Sequence, residues 1–335
     1  MLLLTLRCGL AQDFIEPAKL QEDFTLFRRA LEEAHPGLTR YQTHEQADSI
    51  FDAALGRLDH PLTRQQFYQT LSPVIAAIGC GHTKLHPDEN WSSFFYFDAD
   101  RVFPLKLFIR GNQAWVTGSW REGDTPTGSP LLSINGRPVA EVIERLKGGL
   151  YSDGRNTTFK YIEMSRYFSA LYANWYGGAD TFRVVLGGAG GNREWKVAAI
   201  DHAVIEKAQE AEVRPEPYHL EFLPHRTACI TISSFWEESK GLSYKKFLRK
   251  SFSALRDSGT RTLILDLRGN EGGIDYRGTL LMRYLAREPF RYYDRLEAAT
   301  KNKFSFAEQA RLPRFYGLQR RLLKETGQGK VVWTH

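Results

Sequence analysis

Two short stretches of this 335-residue chain combine residue types at spacings that can do chemistry. The first, Thr262–Gly273, reads TLILDLRGNEGG: an apolar run closed by Asp266 and Arg268, then Gly269, Gly272 and Gly273. With a helix expected over Thr279–Ala286, the order is strand, glycine turn, helix, which aims backbone N–H groups at an anion or a developing oxyanion. Gly272 and Gly273 are the candidate donors, since glycine admits φ > 0 and close substrate approach. Asp266 and Arg268 read as an ion pair fixing the strand end, and the competing reading of the whole stretch is an ordinary glycine-rich βα turn. The second stretch, Ile78–Leu85, reads IGCGHTKL and places His82 just past a helix terminus. An imidazole, ordinarily titrating near pH 6.5, suits proton abstraction from a serine hydroxyl at neutral pH. The alternative is a helix-terminal histidine that satisfies backbone groups. A Cys80–His82 nucleophile–base dyad is disfavoured because residues two apart beside a helix end rarely present both groups productively. The HxxxH of His82 and His86 lacks the Glu of a zinc-protease helix and abuts Pro87, so no metal site is assigned. Ser233 and Ser234 follow a strand without a glycine elbow and read as structural.

DLRGNEGG resembles the DLRxNxGG signature of the C-terminal processing (tail-specific) serine peptidases, a family that includes the tricorn protease core. IGCGHTKL resembles that family's GDGHT segment, and Ser129–Val139, SPLLSINGRPV, resembles the glycine hairpin of its PDZ-like domain. The three occur in family order. The resemblance implies an α/β multidomain protein, with an amino-terminal helical domain, a PDZ-like β-rich domain and a crotonase- or Clp-like α/β catalytic domain. It implies His82 as general base in the tricorn-like branch (a lysine beyond the nucleophile serves the other branch) and Gly272 and Gly273 as backbone oxyanion donors. Cys80 stands where the family carries Asp. Nothing resembles the family's TxSAxE-like nucleophile segment, so the catalytic domain is expected to be incomplete and these residues inactive by themselves. Peptide or protein substrates, acyl-enzyme chemistry and no metal or cofactor are implied. The alternative is a pseudopeptidase that binds peptides or other ligands on the same scaffold. A crotonase-like acyl enzyme is a third class, against which the PDZ-like section argues.

Composition sets the frame for these elements. Hydrophobic residues make up 42% and charged residues 25% of the chain, ordinary for a globular protein with more than one core. The net charge of +6 comes from scattered Lys and Arg, and the densest run, Lys301–Lys324, contains Glu308 and aromatics. It reads as a solvated helical face, and no nucleic-acid partner is expected. No later stretch is long and apolar enough to span a membrane. Three cysteines (Cys8, Cys80, Cys229) imply no disulfide framework. Met1–Ala11 supplies an apolar run and small residues at Gly9 and Ala11, the −3 and −1 positions of a signal-peptide cleavage site. Export, periplasmic or secreted, is therefore expected; a short buried segment is the alternative.

The domains expected are a signal-peptide remnant over 1–12, a helical domain over 13–90, a PDZ-like domain over 95–205 and a peptidase core over 218–335. Three helices fill the first. One spans Asp13–Ala34, a second follows Thr43 with Ile50, Phe51, Leu55 and Leu58 on one face, and a third is capped by Thr63 with Gln66 three residues on. Strands are expected over Val102–Ile109, Ala114–Thr117, Leu131–Ile134 and Phe182–Leu186, with Asn135-Gly136 as a hairpin signal. Helices are expected over Val139–Leu146 and Arg155–Tyr176, the latter anchored by Phe159, Ile162, Phe168 and Leu171. Ala208–Pro217 reads as a linker. Thr227–Ser233, a helix capped by Ser243, and a strand at Leu263–Leu267 buried on both faces make a βαβ unit. Tyr292–Ala299 is a further strand candidate.

Overall fold

The computed structural model describes residues 14–87, 95–97, 99–123, 125–211, 216–239, 241–294, 296–300, 302–309, 321–325 and 331–333. The proposed leader, Met1–Ala11, lies outside them, as does half of Lys301–Lys324; residues 302–309 form turns rather than a helix. The described residues form two compact units, one built from the chain up to Gln209 with Glu297 onward, the other from Glu210–Leu296.

In the first unit, β1 (Phe14–Ile15) pairs antiparallel with β2 (Leu62–Thr63) beside helices α1 (Pro17–Ala34), α2 (His44–Leu55) and α3 (Arg64–Ile78). Local chemistry sets the helix starts. Pro17 occupies the first turn of α1, where its missing N–H costs nothing. Thr43 and Thr63 each close a reciprocal capping box: the Gln46 N–H donates to Thr43 Oγ1 at 3.2 Å, and the Gln66 N–H to Thr63 Oγ1 at 3.2 Å. Leu20, Phe24, Phe51, Leu58, Leu71 and Ile78 are buried between the three helices. Leu55, expected on the buried face of α2, is instead partly exposed.

The same unit continues through β3 (Arg101–Val102), β4 (Leu105–Arg110), β5 (Gln113–Ser119), β6 (Pro130–Ile134), β7 (Arg137–Pro138), α4 (Val139–Gly149), α5 (Thr158–Tyr176), β8 (Thr181–Leu186), β9 (Arg193–Ala198), β10 (Ile200–Asp201) and α6 (His202–Glu210). Strands β4-β5-β6-β8-β9 form one antiparallel sheet. The single strand expected over Val102–Ile109 is two, because the chain leaves the sheet at Phe103-Pro104 and β3 pairs with β10 instead. Asn135 and Gly136 have φ of 49° and 79°, both left-handed as a type I′ hairpin requires, and join β6 to β7. The α4 stripe Val139, Val142, Ile143 and Leu146 covers the sheet with Met164, Phe168 and Tyr172 of α5. Ile162 is 58% exposed, so the α5 anchor face differs from the expected one. The buried row advances by four residues, and Tyr167 (φ −125°, ψ 25°) breaks the helical geometry between its first and second halves. Helix α3 completes the end of α5: Gln65 Nε2 donates to the Ala173 and Asn174 carbonyls at 2.9 and 3.0 Å, and Gln69 Nε2 to Asn174 at 2.7 Å. The Asn174 carbonyl lies in the last turn of α5, where carbonyls lack intrahelical donors, whereas the Ala173 carbonyl also accepts the Gly177 N–H at 2.8 Å.

In the second unit, β11 (Tyr218–Leu223) runs antiparallel to β12 (Thr227–Ile232), and β12 runs parallel to β13 (Thr262–Asp266). Helix α7 (Tyr244–Asp257), capped by Ser243 Oγ, connects the parallel pair, which makes the expected βαβ unit. Helix α8 (Asp275–Leu285) follows β13. Ala228, Ile230, Ile232, Phe247, Leu248 and Leu281 form the core. Strand β13 is not buried on both faces. It is the outer member of the β11-β12-β13 order, and Leu263 and Leu265 face the core while Ile264 is 45% exposed. Where the chain rejoins the first unit at Glu297, the strand candidate near Tyr292 is the shorter β14 (Leu296–Ala298), which joins β15 (Leu323–Glu325) and β16 (Val331–Trp333) in the order β14-β16-β15.

Candidate functional sites at two glycine turns

Helix α3 ends at Gly79, whose φ of 69° gives a left-handed C-cap. A Cβ there would stand 3.0 Å from the Tyr41 ring and 3.4 Å from Gly154 Cα, so only glycine lets the two loops meet. They are joined by two hydrogen bonds: the Gly154 N–H donates to the Gly79 carbonyl at 2.8 Å, and the Gly81 N–H to Asp153 Oδ1 at 2.7 Å. Further along, the Thr83 N–H donates to the Cys80 carbonyl at 3.3 Å, and Thr83 Oγ1 lies 2.9 Å from His35 Nε2. Burial holds the His35 pKa below its ordinary value. His82 projects from this pinned turn and is exposed; Cys80 is half-buried. The Cys80 thiol sulfur, a His82 ring nitrogen and an Asp153 carboxylate oxygen all lie within 4.8 Å of one another. The turn after Gly79 folds back against Asp153 and brings Cys80 and His82 near it, without a hydrogen bond between thiol and imidazole. Asp153 escaped the sequence reading altogether. It is remote in sequence from His82, and no local pattern marks it.

The second turn closes β13. Arg268 forks onto Asp266, with Nε donating to Oδ1 at 2.9 Å and Nη2 to Oδ2 at 2.7 Å. The Arg268 N–H adds a bond to Oδ1 at 3.0 Å, and these contacts hold the Asp266 pKa down at about 2. The Arg268 side chain is 91% exposed, so its own charge faces solvent while the pair orders the strand end. Asn270 then ties the turn to β12. Its Nδ2 donates to the Ile232 carbonyl at 2.9 Å, and its Oδ1 accepts the Gly272 N–H at 2.8 Å. Gly272 (φ 96°) and Gly273 (φ 142°) are both in backbone regions that side-chain-bearing residues rarely enter. A Cβ on Gly273 would meet the Phe235 carbonyl carbon at 2.4 Å. The backbone of Phe235 brackets these glycines: its N–H donates to the Gly272 carbonyl at 3.0 Å, and its carbonyl accepts the Ile274 N–H at 3.2 Å. Arg277 fastens the Phe235 loop to α8 through the Glu237 carbonyl and Glu238 Oε1 at 3.0 Å.

The two oxyanion candidates therefore differ. The Gly272 N–H is engaged by Asn270, whereas the Gly273 N–H has no acceptor among the described residues and sits just before the amino terminus of α8. That end of a helix carries partial positive charge and favours an anion. Neither nearby serine has a free role. Ser233 Oγ donates to the Pro217 carbonyl at 3.3 Å, and Ser234 Oγ accepts the Trp236 and Glu237 N–H groups at 3.0 and 3.1 Å.

Residues 226–332 match the model of peptidase family S41, a segment that includes β12, α7, β13 and the glycine turn. Three solved structures share the fold. One, described as mature CPAF complexed with lactacystin, is 14% identical over 79% of this chain and 59% of its own, with a TM-score of 0.56. Mature CPAF alone gives 14% identity, 77% and 56% coverage and a TM-score of 0.53. A serine-to-alanine mutant of CPAF gives 13%, 77%, 57% and 0.54. The chain thus spans less than two thirds of the length of the structures it matches. No curated protein sequence matches it.

Proposed function

We propose that this chain, whose residues 226–332 fall in peptidase family S41, is the greater part of a serine-type peptidase that cleaves peptide bonds by acyl transfer. The observation that carries this reading is the Gly272–Gly273 turn. A left-handed glycine pair at the carboxyl end of a strand, one N–H held by Asn270 and the next unengaged before a helix, suits stabilisation of the negative oxygen of a tetrahedral intermediate. In this reading Gly273 N–H is the principal donor, and Gly272 joins it when substrate oxygen competes with Asn270 Oδ1. His82 takes the proton from the attacking serine hydroxyl and returns it to the leaving amine. The backbone contacts of Ser233 and Ser234 speak against either as nucleophile, and no stretch resembles the family's nucleophile segment; together these support a nucleophile drawn from outside residues 1–335. Substrate termini would be selected by a PDZ-like section at 95–205, a reading supported by its antiparallel sheet, its Asn135-Gly136 hairpin and the α4 helix covering it. Residues 13–90 would act as the family's helical domain, and Met1–Ala11 as an export signal.

A serine-reactive fluorophosphonate tests the assignment. Residues 1–335 should stay unlabelled, and a polypeptide carrying them with a nucleophile segment should label at one serine. Stoichiometric labelling at a serine of 1–335 would overturn the external nucleophile. If neither form is labelled but peptides bind, the scaffold is a binding protein instead. Amino-terminal sequencing from the native host should find Gln12 or Asp13 first; an intact Met1 on a cytosolic protein would reject export.

A further inference from the structure

Asp153 brings a third donor to the pair Cys80 and His82, and the three together are a chemically mixed set: a thiol, an imidazole and a carboxylate. Such a set does not suit hard cations, which prefer oxygen, and it matches divalent ions of borderline softness. We propose that Cys80, His82 and Asp153 form a three-ligand site for Zn2+, with the fourth position left to solvent.

Geometry and anchoring support it. A tetrahedral zinc ion held at about 2.3 Å from sulfur and 2.0 Å from nitrogen and oxygen separates its donors by about 3.3–3.5 Å. The three donor atoms, within 4.8 Å of one another, need close by at most about 1.5 Å, and the exposed His82 ring can supply that movement. The backbone is already fixed. Gly79 joins the Gly154 loop, and Asp153 Oδ1 accepts the Gly81 N–H, which leaves Oδ2 for the metal. That hydrogen bond is the kind of outer contact that orients a ligating carboxylate. Gly81 is part of the fit, since a Cβ on it would stand 2.9 Å from Asp153 Oδ2. Binding converts the Cys80 thiol to a thiolate and releases its proton to solvent, while His82 coordinates as neutral imidazole and Asp153 as carboxylate.

The site has a consequence that rests on the peptidase reading. A metal on the His82 ring nitrogen that would accept the serine proton blocks general-base action, so Zn2+ would be a reversible inhibitor rather than a cofactor.

Co2+ serves as the spectroscopic probe and Zn2+ as competitor, with residues 1–335 free of tags. One equivalent of Co2+ should produce a thiolate-to-metal charge-transfer absorption that Zn2+ abolishes. Cys80→Ser should remove the band, Cys229→Ser should keep it, and Asp153→Asn should weaken Zn2+ binding by about tenfold or more. Gly81→Ala retains every ligand and should weaken binding as well. No band in the parent protein, or equal affinity in Cys80→Ser and Asp153→Asn with circular dichroism unchanged, would overturn the site. Tight binding that leaves hydrolysis by a nucleophile-bearing form untouched would keep the site and reject His82 as base.

Discussion

The two glycine turns are built on opposite plans. The turn after α3 is held from outside: Asp153, Gly154 and His35 each reach it from a distant segment, and what it presents are side chains. The turn after β13 is held by its own Asn270 and by the Phe235 backbone, and what it presents is a bare N–H. Side chains can be exchanged at a surface turn with modest loss. A backbone donor is bound up with the path of the chain, so the second turn should tolerate far less change than the first.

The hardest test of that contrast is Gly273→Ala. Leaving a glycine-only backbone region costs about 1–3 kcal/mol, and the Cβ contact at 2.4 Å with Phe235 must add to it. Urea unfolding of the second unit should show a loss at the top of that range or beyond. A change near zero would mean that the turn relaxes freely and the contrast fails. Next is Asn270→Ala, which removes two hydrogen bonds joining the turn to β12 and should cost about 2 kcal/mol. Asn270→Asp, which keeps an acceptor for Gly272 but loses the donor to Ile232, should fall between. On the other side of the comparison, Asp153→Ala removes the side-chain acceptor of the Gly81 N–H at the first turn and should cost about 1 kcal/mol. Equal losses for Asp153→Ala and Gly273→Ala would erase the distinction.

The smallest effect concerns acid. The Asp266 pKa is lowered in the folded state, chiefly by hydrogen bonds from Arg268. Its contribution is therefore complete above the unfolded carboxylate range near pH 4 and is lost as pH falls toward about 2. Because the Arg268 guanidinium faces solvent, the effect should be slight and should shrink in salt. Asp266→Asn should flatten the pH dependence of stability between pH 4 and 2. An unchanged slope would assign the strand end to the Asn270 contacts alone.

What could be read from residues alone follows the same division between local and distant causes. The caps at Thr63 and Ser243, the helix end before His82 and the Asn135-Gly136 hairpin were all legible, because each is specified within four residues. So was the parallel βαβ unit, whose strands are short apolar runs separated by a helix. Strands β9 and β11 were not. Arg193–Ala198 carries Glu194 and Lys196 on an open face, and Tyr218–Leu223 is a strand only by pairing with β12. The outward face of β13 misled for a related reason, since an apolar run records which residues prefer burial, not how many neighbours the strand finds. At the sites, His82, Gly272 and Gly273 stand out by type and spacing, whereas Asp153 becomes visible only once α4 and the following loop bring it beside Gly81.

The glutamines at the end of α5 carry one more consequence. Gln65 and Gln69 belong to α3, yet they finish a helix that starts beyond two-thirds of the first unit's β-sheet in chain order. A protease nick in the connection between α3 and β4 would leave both pieces associated, because each carries half of the same helix terminus. Separating them would take these donors from the Asn174 and Trp175 carbonyls of α5 and leave two amide groups of α3 without these acceptors. In amide exchange, the last turn of α5 and the middle of α3 should therefore open together, as one cooperative event spanning segments that the chain keeps about a hundred residues apart.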